Sequence, residues 1–165
     1  MKKAISVIIL VLSVCISYSQ EFEFKKINWD NTKIDFNRIA NQEEKYSAVI
    51  IHDDHLLEYI LEENIPVLYY TYHQKVLVNN DKGIEAFNRV YIGMASKTEI
   101  IDIKARTITA QGKTIELNKD NIKEIENLDN KGAYKMFAVE GVEKGSVVEI
   151  LYTLKKSAST NGRYV

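Results

Sequence analysis

Apolar and polar residues alternate with a period of two along much of this chain. In "VLYYTYHQKVLVNN", Leu68, Tyr70, Tyr72, Val76 and Val78 share one phase, broken by Gln74; Thr71, His73 and Lys75 share the other. Successive side chains of a strand point to opposite faces, so this pattern predicts a half-buried strand. "TEIIDIKARTIT" repeats it with Ile101, Ile103 and Ala105 in phase. "SVVEILYTLKK" does so with Val148, Ile150, Tyr152 and Leu154. "YSAVIIHD" and "HLLEYIL" read as two strands joined by a turn at Asp53 and Asp54. "NNDKG" gathers turn formers up to Gly83, after which "IEAFNRVYIG" is expected to resume an extended course. "AQGK", with Gly112, predicts a tight hairpin reversal into "TIEL". "YKMFAV" reads as a short strand, and "EGVEKG", with Gly141 and Gly145, as a turn. In "NIKEIENLDN", Ile122, Ile125 and Leu128 fit either a helical face or an irregular connection.

Several strands with turn signals and almost no helical periodicity predict a mainly β fold. We expect an antiparallel β-sandwich-like domain with little helix. It should occupy residues 45–156, behind an irregular segment at 20–44 and ahead of a polar tail or linker at 157–165. In the irregular segment, Trp29, Ile34 and Phe36 are expected to pack against another part of the protein. "NRIANQEEK" is compatible with a short helix.

Residues 1–19 have the layout of a secretory signal peptide. Lys2 and Lys3 precede an apolar core, and "SYS" places small residues at a cleavage site before Gln20. The core is too short to span a bilayer comfortably, and no later segment approaches spanning length. The expected location is therefore the periplasm or cell envelope, with no membrane span once the signal is removed. Cys15 is the only cysteine. Val14 precedes it where a lipoprotein signal places a small residue, which disfavours lipidation. Cleavage before Gln20 would leave neither a disulfide nor a thiol nucleophile. Charge is balanced, with 22 Lys and Arg against 23 Asp and Glu, and interspersed. That pattern lacks the basic stripe needed to neutralise phosphates and argues against nucleic acid as a partner.

The order of residues is similar to that of a known family. "KVLVNNDKGIEAF", "IKARTITAQGKTIEL" and "FAVEGVEKGSVVEILYT" resemble domain of unknown function 3857, the N-terminal β-domain of many exported bacterial transglutaminase-like proteins. The specific pieces are Ala105-Arg106-Thr107 followed by a Gln111-Gly112-Lys113 turn, and the Phe-x-x-x-Gly-Val-x-x-Gly-Ser-x-x-Glu run from Phe137 to Glu149. Glu140 stands where the family often has proline. The resemblance implies a non-catalytic structural or interaction module. Its expected partner is a transglutaminase-like or other protein domain, because the family's Cys-His-Asp constellation belongs to a separate papain-like core. It also implies no cofactor. The alternative is a free-standing periplasmic binding domain for peptide or cell-envelope glycan.

Among candidate chemistry, "IHDDH" stands out, since His52 and His55 are two of three histidines. A metal reading would recruit both imidazoles with Asp53 and Asp54. In extended chain, however, residues three apart point to opposite faces. The favoured reading is a hairpin turn at the two aspartates, with His52 and His55 as neighbours across it. Neither Ser47 nor Ser146 sits in a nucleophile elbow. Tyr70 and Tyr72 are expected in the core, and Tyr69, in the other phase, at the surface. Glu149 lies in a mostly apolar strand and needs a partner, for which Lys104 and Arg106 are the expected choices. Gly83, Gly112, Gly141 and Gly145 are the expected structural turns.

Overall fold

The structure, a computed structural model, describes residues 22–27, 45–126 and 132–158. The expectations for the signal peptide, Cys15, Trp29, Ile34, Phe36, Leu128 and residues 159–165 fall outside these.

The alternating segments form two antiparallel sheets among the described residues. Their strands are β1 (Ala48–Glu62), β2 (Ile65–Val78), β3 (Arg89–Met94), β4 (Glu99–Ile108), β5 (Thr114–Glu116), β6 (Lys123–Ile125), β7 (Ala133–Ala138) and β8 (Val147–Ser157). One sheet has the order β1-β2-β8-β4-β5 and the other β3-β7-β6. Between them lies a core of Val78, Ile92, Ile103, Phe137, Val148, Ile150 and Leu154, among others. This is the expected sandwich-like β fold. Among the described residues, no helix is long and apolar enough to cross a membrane.

Three local expectations are corrected. First, Asp53 and Asp54 are not a turn. β1 runs straight through "HDDH" and pairs with β2 from Ala48↔Val78 to Glu62↔Ile65, with one bulge between Ile50 and His52. The reversal lies at Glu63 and Asn64, both at positive φ (49° and 65°). That is the backbone a two-residue type I′ hairpin requires. β1 tolerates two aspartates because it ends the sheet order, where carboxylates reach solvent.

Second, the segment after Asn80 is a helix, α1 (Asp81–Phe87), rather than a turn leading into a strand. The Asn80 side chain accepts from the N–H groups of Lys82 and Gly83 at 3.1 and 3.3 Å, which caps the first turn. Ile84 and Phe87, three apart, then reach the core together. Gly83 is thus a buried helical residue, not a turn glycine.

Third, a bulge between Ile100 and Asp102 changes the phase of β4. Ile100 packs on the core and Ile101 is left 42% exposed.

The other three expected turn glycines have positive φ: Gly112 (81°), Gly141 (72°) and Gly145 (83°). A β-carbon in the left-handed region costs about 1–2 kcal/mol. A Cβ on Gly141 would also lie 2.3 Å from Ile115 Cδ1, a flexible tip that can yield. Gly141→Val and Gly145→Val are each expected to lower the thermal unfolding midpoint, by several degrees for about 1 kcal/mol. Midpoints unchanged in both variants would refute the placement of this turn.

Candidate functional site

β2 and β8 lie inside the five-stranded sheet, and both are buried on the two faces. Facing away from the core, Thr71, His73 and Lys75 of β2 are only 2–6% exposed, and Glu149 of β8 is 0% exposed. Register explains what gathers there. Lys75 stands opposite Glu149, and Glu149 opposite Arg106. His52 extends the row into β1 and Glu116 into β5. One transverse line therefore carries ionisable side chains on all five strands, and from Lys75 through Glu149 and Arg106 to Glu116 bases and acids alternate in the pattern that stabilises cross-strand pairs.

The Glu149 carboxylate is held at both oxygens. Arg106 Nε donates to Oε2 at 2.7 Å and its terminal nitrogen lies 2.6 Å from the same atom. His73 Nε2 donates to Oε1 at 2.8 Å, and Lys75 Nζ is 3.3 Å away. Burial by itself would push the Glu149 carboxyl up. The hydrogen bonds from His73 and Arg106, with the charges of Arg106 and Lys75, outweigh it and hold the pKa below the ordinary carboxylate value. Of the two partners expected from sequence, Arg106 is correct. Lys104 instead pairs with Asp102 at 3.2 Å. Sequence reasoning missed His73 and Lys75. Their shared phase in β2 was visible, but the register that sets them beside Glu149 was not.

"HDDH" is split between the two faces. Its outer half meets the charge row: the rings of His52 and His73 meet edge-on at 4.6 Å. His52 Nε2 lies 3.0 Å from Asp54 Oδ2, without the geometry of a hydrogen bond. The inner half is Asp53 and His55. His55 Nε2 is 3.5 Å from Asp53 Oδ1, and His55 Nδ1 shares a 2.7 Å hydrogen bond with the Tyr70 hydroxyl. Tyr72 and Tyr152 continue this cluster, with ring centroids 5.3 Å apart. Burial, then the charge of Asp53, raises Tyr70 and raises Tyr72 to about 12, so both are neutral phenols at physiological pH.

His52 and His55 thus cannot converge on one ion. Among the described residues, no group of three or more His, Cys, Asp or Glu side chains is arranged to hold a metal. The purified protein is expected to retain far less than one zinc per chain after dialysis. A stoichiometric ion removed by His52→Ala would refute this.

Two more side chains lie near the site. Ser146 is 0% exposed, and its hydroxyl donates to Glu143 O at 2.7 Å and accepts from Glu143 N at 3.1 Å. It locks the turn between β7 and β8 and is unavailable as a nucleophile. Tyr69 is buried, not at the surface. It stacks on Phe24 at 5.4 Å and meets Phe22 at 4.9 Å. Phe22 caps, and Phe24 lies within, a short 3-10 turn (Glu23–Lys26) whose Glu23 and Phe24 N–H groups donate to the Glu58 carboxylate of β1 at 2.7 and 3.1 Å. Residues 22–27 therefore strap the outer face. On the far side, Phe24 and Ile27 face Lys104, Leu151 and Thr153 across a cavity of about 230 Å³.

Two antiparallel sheets around one core, with a charge row buried in the middle strands, define a β-sandwich-like domain. The chain belongs to the domain of unknown function family DUF3857, whose pattern matches residues 68–165, more than half of it. No curated protein matches the chain. Among solved structures, it is similar to a protein from Parabacteroides distasonis ATCC 8503 described as a "putative protease". The identity is 11% and the TM-score 0.54, over 68% of this chain and 24% of that one. This likeness is one of fold, and the chain spans about a quarter of the length of that protein.

Proposed function

We propose that this chain is a non-catalytic β-module of an exported protein, with a structural or interaction role beside a transglutaminase-like or other protein domain. The observation that carries this reading is the partial match: the same fold makes up 24% of a longer polypeptide, leaving room there for other domains. The Glu149 network supports it, since both carboxylate oxygens are committed to protein groups and the side chain is sealed from solvent. Export rests on the signal-like residues 1–19. The purified protein is expected neither to incorporate amines into a glutamine substrate nor to cleave peptides. Either activity, abolished by substituting a residue of this chain, would overturn the reading.

A second reading, a free-standing binder of peptide or cell-envelope glycan, is favoured by Tyr70, Tyr72 and Tyr152, which gather beside His55 on the inner face of the large sheet. Saturable binding of peptidoglycan fragments, lost in Tyr72→Ala, would select it over the module.

A further inference from the structure

The cavity beneath the strap is built in layers, and every residue lining it is among those described. β8 supplies the floor. Leu151 and Thr153 are alternate residues of that strand, so they share its outer face, where they are 5 and 3% exposed. β4 sets charge beside them: Lys104 stands opposite Leu151, and Asp102 opposite Thr153. The strap supplies the roof. Phe24 and Ile27 are three apart at a 3-10 turn, a spacing that places side chains one above the other. The Ile27 N–H fixes that spacing by donating to Phe24 O at 3.2 Å. Lys25, between them in sequence, also lines the space.

The lining therefore combines apolar walls with ammonium groups, and its one carboxylate is already neutralised. Lys104 Nζ lies 3.2 Å from Asp102 Oδ2, while Lys119 Nζ donates to Asp102 Oδ1 at 3.3 Å. Because the two lysines use different oxygens, Lys104 is able to turn to another anion while Lys119 still holds Asp102. The Lys104 side chain is 40% exposed, which leaves it room to turn. Lys25 Nζ sits 4.7 Å from the centre of the Phe22 ring, a contact with the ring face that is weak at an exposed site. Each ammonium has three donors and no acceptor, so both select a negative group. A hydroxyl adds to them. Thr71 Oγ1 and Thr153 Oγ1 lie 2.8 Å apart, and either is able to donate. One hydrogen bond uses one of the two protons, so when Thr71 donates, the Thr153 O–H is left to give to the cavity.

The geometry points to this cavity as a binding site for a small apolar carboxylate. Its carboxylate accepts from Lys25, Lys104 and Thr153, and its body packs against Phe24, Ile27 and Leu151. At about 230 Å³ the space is smaller than the roughly 300–1,000 Å³ of pockets for drug-sized ligands, so it suits a ligand the size of one residue. A bare inorganic anion would leave the apolar walls unused, and an amine would meet like charge. The same chemistry is offered by the C-terminal leucine-like residue of a peptide and by a free branched carboxylic acid. The site lies on the opposite face of the large sheet from Tyr72, and the inference does not depend on the module reading.

Saturation-transfer NMR of the full chain with N-acetyl-leucine tests it. Saturable binding is expected, with a Kd of about millimolar for a ligand of this size. N-acetyl-leucinamide, which lacks the charge, and acetate, which lacks the apolar body, should each bind at least about fivefold more weakly. Lys25→Met with Lys104→Met should weaken N-acetyl-leucine at least about tenfold, and Lys113→Met, in the Gly112 turn, should not. Lys25 and Lys104 are both exposed, so circular dichroism and the unfolding midpoint should stay close to wild type in the double variant. Added salt should weaken binding, as charge recognition requires. The free acid 4-methylpentanoate separates the two sources. Tighter binding of N-acetyl-leucine assigns the site to a peptide end, and equal or tighter binding of 4-methylpentanoate assigns it to a free acid; either supports the proposal. It is overturned if neither carboxylate binds, if the amide binds as well as the acid, or if a folded double variant binds as well as wild type.

Discussion

Glu149→Ala is expected to destabilise the fold by about 3–5 kcal/mol, the cost of leaving buried charges without their counter-charge. Native proteins have a total stability of about 5–15 kcal/mol, so the loss is a large fraction of the whole. The size follows from geometry. Glu149 is 0% exposed, and Arg106, Lys75 and His73 all converge on its two oxygens. Removing the acid takes from Arg106, Lys75 and His73 the buried carboxylate on which all three converge. Glu149→Gln keeps shape and some hydrogen bonding, and should fall between wild type and Glu149→Ala. Acid has the same target. The folded-state pKa of Glu149 lies below its ordinary value, so its contribution is present above the unfolded pKa and lost as pH falls through the folded one. Glu149→Gln should therefore show a shallower loss of stability on acidification than wild type. Urea unfolding at neutral pH and across the acidic range tests both statements. A Glu149→Ala protein within about 1 kcal/mol of wild type would mean the network is dispensable, as many surface pairs are.

Gly83→Ala is expected to destabilise, against the rule for helices. Alanine in an ordinary helix interior is about 1 kcal/mol better than glycine. Here a β-carbon would lie 2.1 Å from the Ser47 carbonyl oxygen and 3.0 Å from its carbon. That carbonyl is backbone, held by the Asn79 N–H at 2.9 Å, so it cannot swing aside as a side chain would. Overpacking of this kind costs about 1–3 kcal/mol or more and should exceed the helical gain. Gly112→Ala supplies the contrast. Its φ is positive but nothing lies within 4 Å of the added carbon, so it should lose only the backbone term, about 1–2 kcal/mol. Chemical unfolding of the two variants side by side decides the point. A more stable Gly83→Ala would mean that α1 can move away from Ser47.

The misplaced hairpin shows where sequence signals mislead. Asp53 and Asp54 have strong turn chemistry, whereas the true turn uses Glu63 and Asn64, without the glycine that usually marks a type I′ loop. Turn propensity lost to the length of the β1–β2 ladder, which carries paired residues on both sides of the aspartates. In α1, the capping signal of Asn80 was present in "NNDKG" but indistinguishable from a turn without the contacts of Ile84 and Phe87. A strict period of two sets Ile101 in phase with Ile103 and Ala105, and a one-residue bulge reverses it.

What the sequence determined by itself is local or compositional: the alternation in β2, β4 and β8, the reversal at Gly112, and hence a mainly β sandwich-like fold. Each rests on neighbours within a few residues, where side-chain period and backbone preference act directly. Tertiary structure alone decided that the polar phase of β2 is buried, that Lys75 and His73 complete the Glu149 site, and that His52 and His55 serve different faces. These depend on which strands pair and in what register. His73 and Glu149 meet across 76 positions of chain, and no local pattern encodes a contact set by the packing of β2 against β8.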